Sequence, residues 1–425
     1  MTQNYFQLHK LWWKQATILV FCFAALFPTL RAFIYGDAAG SNFSSILFSI
    51  LPDLFFASLS VFSLWLLFRN HQLEKLDFIF LGYIGFNVIY GIILSQHTLA
   101  SVYGFRLTYL PMFIYFIGRL AMNENCGQVL LKHLMYVISG ISVVGLLLYF
   151  PFHYVYIYII GLLHDYEFEH QMVPRMTSLF YTPLVFSSVV AISSLYFLIL
   201  FQKNKKRSDL ILFIINCVCL ILSISRGAIL AFMIVTPVLI FLLKDFKRIL
   251  FPILSVILIS TICINVISPK QEAFFLFGFI MKSSVNTMEM DTNIKRVDFW
   301  QTSITDFKNR PWGYGLGKSG HVANRLFKGT DVPAAVYATD GWYLKLLNET
   351  GVPGFIAFII LMTAIFQSVI KIQNNYDRTF FIGLLIIIGF QSIVSNVPDF
   401  TFASFFIWII FGLRSVNSKK ALFPI

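Results

Sequence analysis

The chain has 425 residues, of which 58% are hydrophobic and only 12% charged, and its mean hydropathy is +0.76; this balance excludes a soluble globular domain and indicates a chain dissolved in lipid. Its formal net charge of +12 does not call for nucleic acid, because most of the basic residues lie between apolar runs, where they face an anionic leaflet. The five cysteines, Cys22, Cys126, Cys217, Cys219 and Cys263, offer neither a disulfide framework nor a zinc set.

Apolar runs of about twenty residues, the length that crosses the hydrocarbon layer as helix, are predicted near 15–35, 46–68, 77–96, 101–120, 131–151, 179–201, 208–224, 227–243, 249–268, 352–371, 379–397 and 400–416. The predicted fold is therefore an all-α polytopic membrane protein of about twelve transmembrane helices. The first run is long, carries Arg31 near its far end and is followed by a matching second run, so it reads as a retained span and not as a cleaved signal. The seventh and eighth runs meet at Ser225-Arg226-Gly227, which reads as a tight turn. Three regions follow: transmembrane helices over 1–268, one large outer loop over 269–351 that is partly helical and interfacial, and three further helices with a cytoplasmic tail over 352–425.

Eighteen of the 32 basic residues fall on seven connections that share a side with the amino terminus. Lysine and arginine are retained in the cytoplasm, so both termini are expected there and the large loop outside. Ten more lie in that loop, which leaves Arg31, Arg106, Arg175 and Arg226. Under this topology each of the four comes out at or near the outer face. Arg31 reads as a snorkelling side chain. Arg106 in GFRLTYLPMF, Arg175 in VPRMTSLFYTP and Arg226 in LSISRGAILAF are each followed by small or hydroxyl residues that let helices approach and build a polar pocket. Guanidinium forks bind phosphate oxygens bidentately and stay charged, so several of them together suit a polyanion such as a pyrophosphate.

Within the loop, KQEAFFLFGFIMKS at 270–283 reads as an interfacial helix. From Asp291 onward, Ile294, Val297, Trp300, Ile304 and Phe307 recur at helical spacing, with Asp291 or Thr292 as cap and Arg296 beside the stripe. Pro311 ends that helix, and Gly313, Gly315, Gly317 and Gly320 predict a flexible turn. GLGKSG at 315–320 imitates a dinucleotide fingerprint, but no strand precedes it. Asp340 reads either as the cap of a helix over 341–350, closed by Gly351 with Pro353 opening the next span, or, like His321, as a group that takes a proton from a sugar hydroxyl.

The order of these features, GFR, RMTSLFYTP, SRGA, R-x-x-x-W, PWGYGLG and D-G-W-Y-L-x-x-L-x-E-x-G, resembles the bacterial O-antigen polymerase and ligase superfamily over roughly 100–415. The resemblance implies glycosyl transfer at the periplasmic face of the bacterial inner membrane, from an undecaprenyl-pyrophosphate-linked oligosaccharide donor to a sugar hydroxyl of an acceptor, with no cofactor, nucleotide sugar or metal. It also implies that Arg175 and Arg226 hold the pyrophosphate, with Arg106 as the earlier-span arginine, and that a separate chain-length regulator protein is a partner; from the residues themselves, Arg296 joins the pyrophosphate-binding candidates, and Asp340 and His321 are the catalytic candidates. Ligases usually show a histidine where this chain has Asp340-Gly341, so a polymerase is the expectation and ligation to lipid A core the alternative. A flippase for lipid-linked glycan is the reading from another class; short loops and related halves would mark it, and neither is seen in the sequence.

Overall fold

The computed structural model describes residues 43–123, 126–150, 176–180, 182–244, 250, 252–254, 287–327, 332–335, 341–414 and 422–423. Among the described residues the elements are helical; the single isolated β-bridge joins Ser319 to Ala335. The amino-terminal half contains α1 (Phe43–Arg69), α2 (Lys75–Ser95), α3 (Thr98–Gly104), α4 (Tyr115–Asn123), α5 (Gly127–Tyr149), α6 (Pro183–Asn204), α7 (Arg207–Leu222) and α8 (Arg226–Leu243). It is followed by α9 (Thr287–Asn309), α10 (Gly320–Phe327), α11 (Trp342–Ile370), α12 (Asn375–Val394) and α13 (Thr401–Gly412).

Local chemistry sets several of these boundaries. Thr182 accepts from the Val185 amide at 3.2 Å, and Pro183 occupies the first turn of α6, where a missing N–H costs nothing. Asn374 caps α12 by accepting from the amides of Tyr376 and Asp377. The expected break at Gly351 is present: its φ of 62° interrupts α11, and Pro353 follows in the resumed helix. A tight turn between α7 and α8 is also present, but it lies at Ser223–Ser225; Arg226 and Gly227, which the sequence reading placed in it, are the first residues of α8.

Six described helices, α2, α5, α6, α8, α11 and α12, are long and apolar enough to cross a membrane. The twelve-span count is not reached among the described residues. The predicted first span lies outside them and the ninth largely so. The predicted fourth is not one helix: α3 gives way to a π turn at Phe105–Tyr109 and a 3-10 turn at Leu110–Ile114 before α4 begins. The helices at the seventh and twelfth positions are 16 and 12 residues long, short of a straight crossing.

Of the six span-length helices the most enclosed is α6, which packs against α5, α7, α8 and α12. Between α5, α6 and α7 the Asn216 amide donates to Ser139 at 2.8 Å and Ser193 at 3.2 Å and accepts from Ser142 at 2.8 Å. Small hydroxyl residues thus let the helices close up while satisfying a buried amide. The glycine loop after α9 is not flexible. Gly315 (φ 103°) and Gly317 (φ 75°) lie so close to Ser95 and Ala100 that a Cβ at either would enter backbone atoms. Sequence alone shows that glycines permit positive φ; it does not show that backbone packs on backbone.

The helix of the large loop begins at Thr287, so Asp291 and Thr292 lie inside α9 and do not cap it. The expected interfacial helix over 270–283 lies outside the described residues.

Candidate functional site

Four of the stretches singled out in the sequence meet at one end of the bundle. The Met176 amide donates to the Leu222 carbonyl at 3.0 Å, which joins the RMTSLFYTP stretch to the SRGA turn. Gly227 faces Val394 so closely that a Cβ there would lie 2.6 Å from its Cγ2. The Gly341 amide donates to Asn396 Oδ1 at 3.3 Å, and Thr108 donates to Asp399 Oδ1 at 3.3 Å. The segment Val394–Asp399, between α12 and α13, is therefore bordered by the turn that carries Arg226, by the D-G-W motif and by the turn that carries Arg106.

Arg226 opens α8. The amides at a helix start carry partial positive charge, so a cation there is disfavoured by about 0.3–1 kcal/mol, and cation and amides together favour an anion. Arg106 sits in the π turn, 24% exposed at its side chain, with Nε donating to Asp53 Oδ2 at 2.6 Å. Single π turns inside helices recur at functional sites because they turn side chains out of register.

The rest of this end is a buried ionic knot. Lys345 on α11 places Nζ 2.7 Å from Asp399 Oδ2, donates to Thr108 Oγ1 at 2.9 Å, and lies 3.9 Å from Glu349 Oε1. Glu349, 1% exposed, accepts the Gly317 amide at 3.1 Å. The E-x-G part of the motif thus anchors the glycine loop: Tyr314 and Gly315 amides donate to the carbonyls of Asn348 and Glu349, Leu316 to Gly91, and Val352 to Pro311. Since Gly313 and Lys318 amides also bond within the protein, the six amides of 313–318 are committed to the fold. They cannot cradle a phosphate, which removes the dinucleotide and P-loop imitations on physical grounds. Lys318, at the loop's end, has its pKa lowered by burial and by the Arg310 guanidinium.

Of the residues proposed from sequence, Arg106 and Arg226 are placed at this end, two residues from Thr108 and one from Gly227 respectively. Arg175 and Asp340 lie outside the described residues, although their neighbours Met176 and Gly341 are both here. Arg296 belongs to α9 and His321 to the first turn of α10, which packs on α3 through Ala323, Phe327 and Ala100; the side chains of Arg296 and His321 lie outside the described part. Gly341, not Asp340, occupies the cap position of α11. Sequence reasoning passed over Asp53, Lys345 and Asp399. The available signal was an ionisable residue inside or beside an apolar run, which marks a functional candidate whatever its sign.

Residues 210–359 match a family model described as O-antigen ligase. The matched stretch runs from within α7 into α11, so it contains the SRGA turn, α9, the glycine loop and the D-G-W motif. It supports the O-antigen polymerase and ligase superfamily. Members of that family are glycosyltransferase-like enzymes of ligase or polymerase type, and with the six apolar helices the match points to a multi-pass membrane protein. No curated protein matches the chain.

Proposed function

We propose that this chain is an O-antigen or related surface polysaccharide polymerase, joining undecaprenyl-pyrophosphate-linked repeat units at the periplasmic face. The acceptor hydroxyl oxygen forms a bond to the donor's anomeric carbon as the bond from that carbon to the pyrophosphate oxygen breaks. The hydroxyl proton passes to a base, for which Asp340 and His321 are the candidates, and the pyrophosphate leaves as an anion on its lipid. That leaving charge is what arginines can stabilise: Arg106 and Arg226, with Arg175 and Arg296 as further members of the set. Both substrates are tethered in one leaflet, so the protein's remaining task is orientation.

The observation that supports this reading best is the meeting of the Arg226 turn, the Arg106 turn and the D-G-W motif around Val394–Asp399. The ligase alternative rests on the family model's own description; Asp340-Gly341 in place of the usual histidine weighs against it.

The deciding experiment supplies purified protein with a defined undecaprenyl-linked repeat unit, with and without lipid A core. A ladder of lipid-linked chain lengths supports the polymerase; transfer confined to the core supports the ligase. Movement of the lipid across vesicles with no new glycosidic bond overturns both.

A further inference from the structure

Asp53 is the one acidic residue in α1, and Arg69 at the helix end is the one basic residue. The helix turns Leu54, Phe55, Val61, Phe62 and Trp65 outward, yet Asp53 is 4% exposed. An uncompensated carboxylate at that depth costs several kcal/mol. The structure compensates it with Arg106, whose Nε lies 2.6 Å from Oδ2.

A second feature is independent of that pair. The backbone around Arg106 is held on both sides: Gly104 lies against the glycine loop, where a Cβ would be 2.5 Å from the Gly317 amide nitrogen, and Thr108 is fixed between Lys345 and Asp399. With its backbone pinned two residues to either side and one corner of its fork gripped by another helix, the guanidinium has a set plane. While it makes that contact, the side chain keeps 24% of its surface exposed.

We infer that Asp53 is a positioning residue which, through Arg106, orients the guanidinium toward the pyrophosphate of the lipid-linked substrate. The inference rests on Arg106 being a phosphate ligand. It makes a prediction opposite in sign to mere charge compensation: a carboxylate that only neutralises Arg106 repels an incoming anion, so its removal would tighten binding, whereas loss of a positioning carboxylate weakens it.

The test measures calorimetric binding of farnesyl pyrophosphate, a short soluble prenyl pyrophosphate, to the purified full chain in detergent, with thermal unfolding in parallel. Asp53→Asn is expected to weaken binding by roughly tenfold, the scale of a lost charge-assisted hydrogen bond. Arg106→Ala should weaken it at least as much, and Asp53→Asn should add nothing in the Arg106→Ala background. Unchanged or tighter binding by a folded Asp53→Asn protein overturns the inference, as does an equal loss in both backgrounds. If Arg106→Ala binds like wild type, Arg106 is no phosphate ligand and the parent reading loses it together with Asp53; if only Asp53→Asn is without effect, the parent reading stands. Should Asp53→Asn not fold, Asp53→Glu keeps the charge and lengthens the arm by one methylene; weakened binding then supports positioning, and wild-type affinity overturns it.

Discussion

Both ends of the bundle carry arginines, and the two ends use them differently. At the end away from the candidate site, Arg119 is 1% exposed and lies 2.7 Å from Glu74 Oε1 and 3.2 Å from Asp77 Oδ1, while Arg414 lies 3.2 Å from Glu74 Oε2. Tyr115 donates to Asp77 at 2.6 Å, and Arg119 NH1 donates to the Arg414 carbonyl. Two cations face two carboxylates from the start of α2, which ties that helix to α4 and to the end of α13. In this knot two cations balance two carboxylates and both guanidiniums are buried, while Glu74 reaches the surface. At the site end Arg106 pairs with Asp53 and keeps a quarter of its side chain exposed, and Arg226 opens α8 at a positive helix end. Burial of an arginine is therefore no mark of function by itself; partial exposure is what sets Arg106 apart.

The largest effect expected from this comparison is on folding. Arg119→Ala leaves Asp77 buried beside Tyr115 with its cation gone and should cost about 3–5 kcal/mol, the scale for breaking a buried pair. The check is thermal unfolding and membrane yield. A protein as stable as wild type would mean that the knot is not structural and that the contrast between the ends is wrong.

Next is Arg226→Ala, which should lower glycan transfer by roughly 10²–10³, as removal of one preorganised charge stabiliser does, while unfolding and membrane level stay near wild type. Lysine should rescue poorly, since a point charge lacks the fork. Product at wild-type levels from the alanine variant removes Arg226 from the site.

Glu349 separates loop anchoring from charge. Glu349→Gln keeps an oxygen to accept the Gly317 amide but gives up the attraction to Lys345, 3.9 Å away; Glu349→Ala gives up both. The alanine variant is expected to lose about 1–3 kcal/mol beyond glutamine, the cost of an orphaned buried amide. Equal melting temperatures for the two would show that the loop does not need this anchor.

Much of the frame was legible in the sequence because it depends on neighbours along the chain. The Gly351-Val352-Pro353 break and, to within two residues, the turn before Arg226 were legible from local rules of capping and backbone freedom. What was not legible depends on partners far away in sequence. Arg119 and Arg414 read as leaflet anchors because nothing local distinguishes a snorkelling arginine from a locked one. The run over 101–120 looked like one span, since hydropathy does not register the π turn that sets Arg106. The pairing of Asp53 with Arg106 and of Lys345 with Asp399 joins residues that only the bundle brings together.

The smallest expected effect applies the same contrast to backbone. Gly82 on α2 has open space around it, so Gly82→Ala meets no atom within 4 Å and should be neutral or stabilise by about 0.5–1 kcal/mol through helix propensity. Gly104 on α3 is also helical, but there a Cβ would stand 2.5 Å from the Gly317 amide and 2.8 Å from Leu316 Cγ. Gly104→Ala must therefore push the glycine loop away from the turn that carries Arg106, and it should lower both the melting temperature and transfer. Opposite signs for one chemical change would locate the constraint in loop packing and not in glycine's intrinsic cost. If both variants melt alike and transfer alike, the loop has slack at Gly104, and the orientation of Arg106 depends on Asp53 and Thr108 without it.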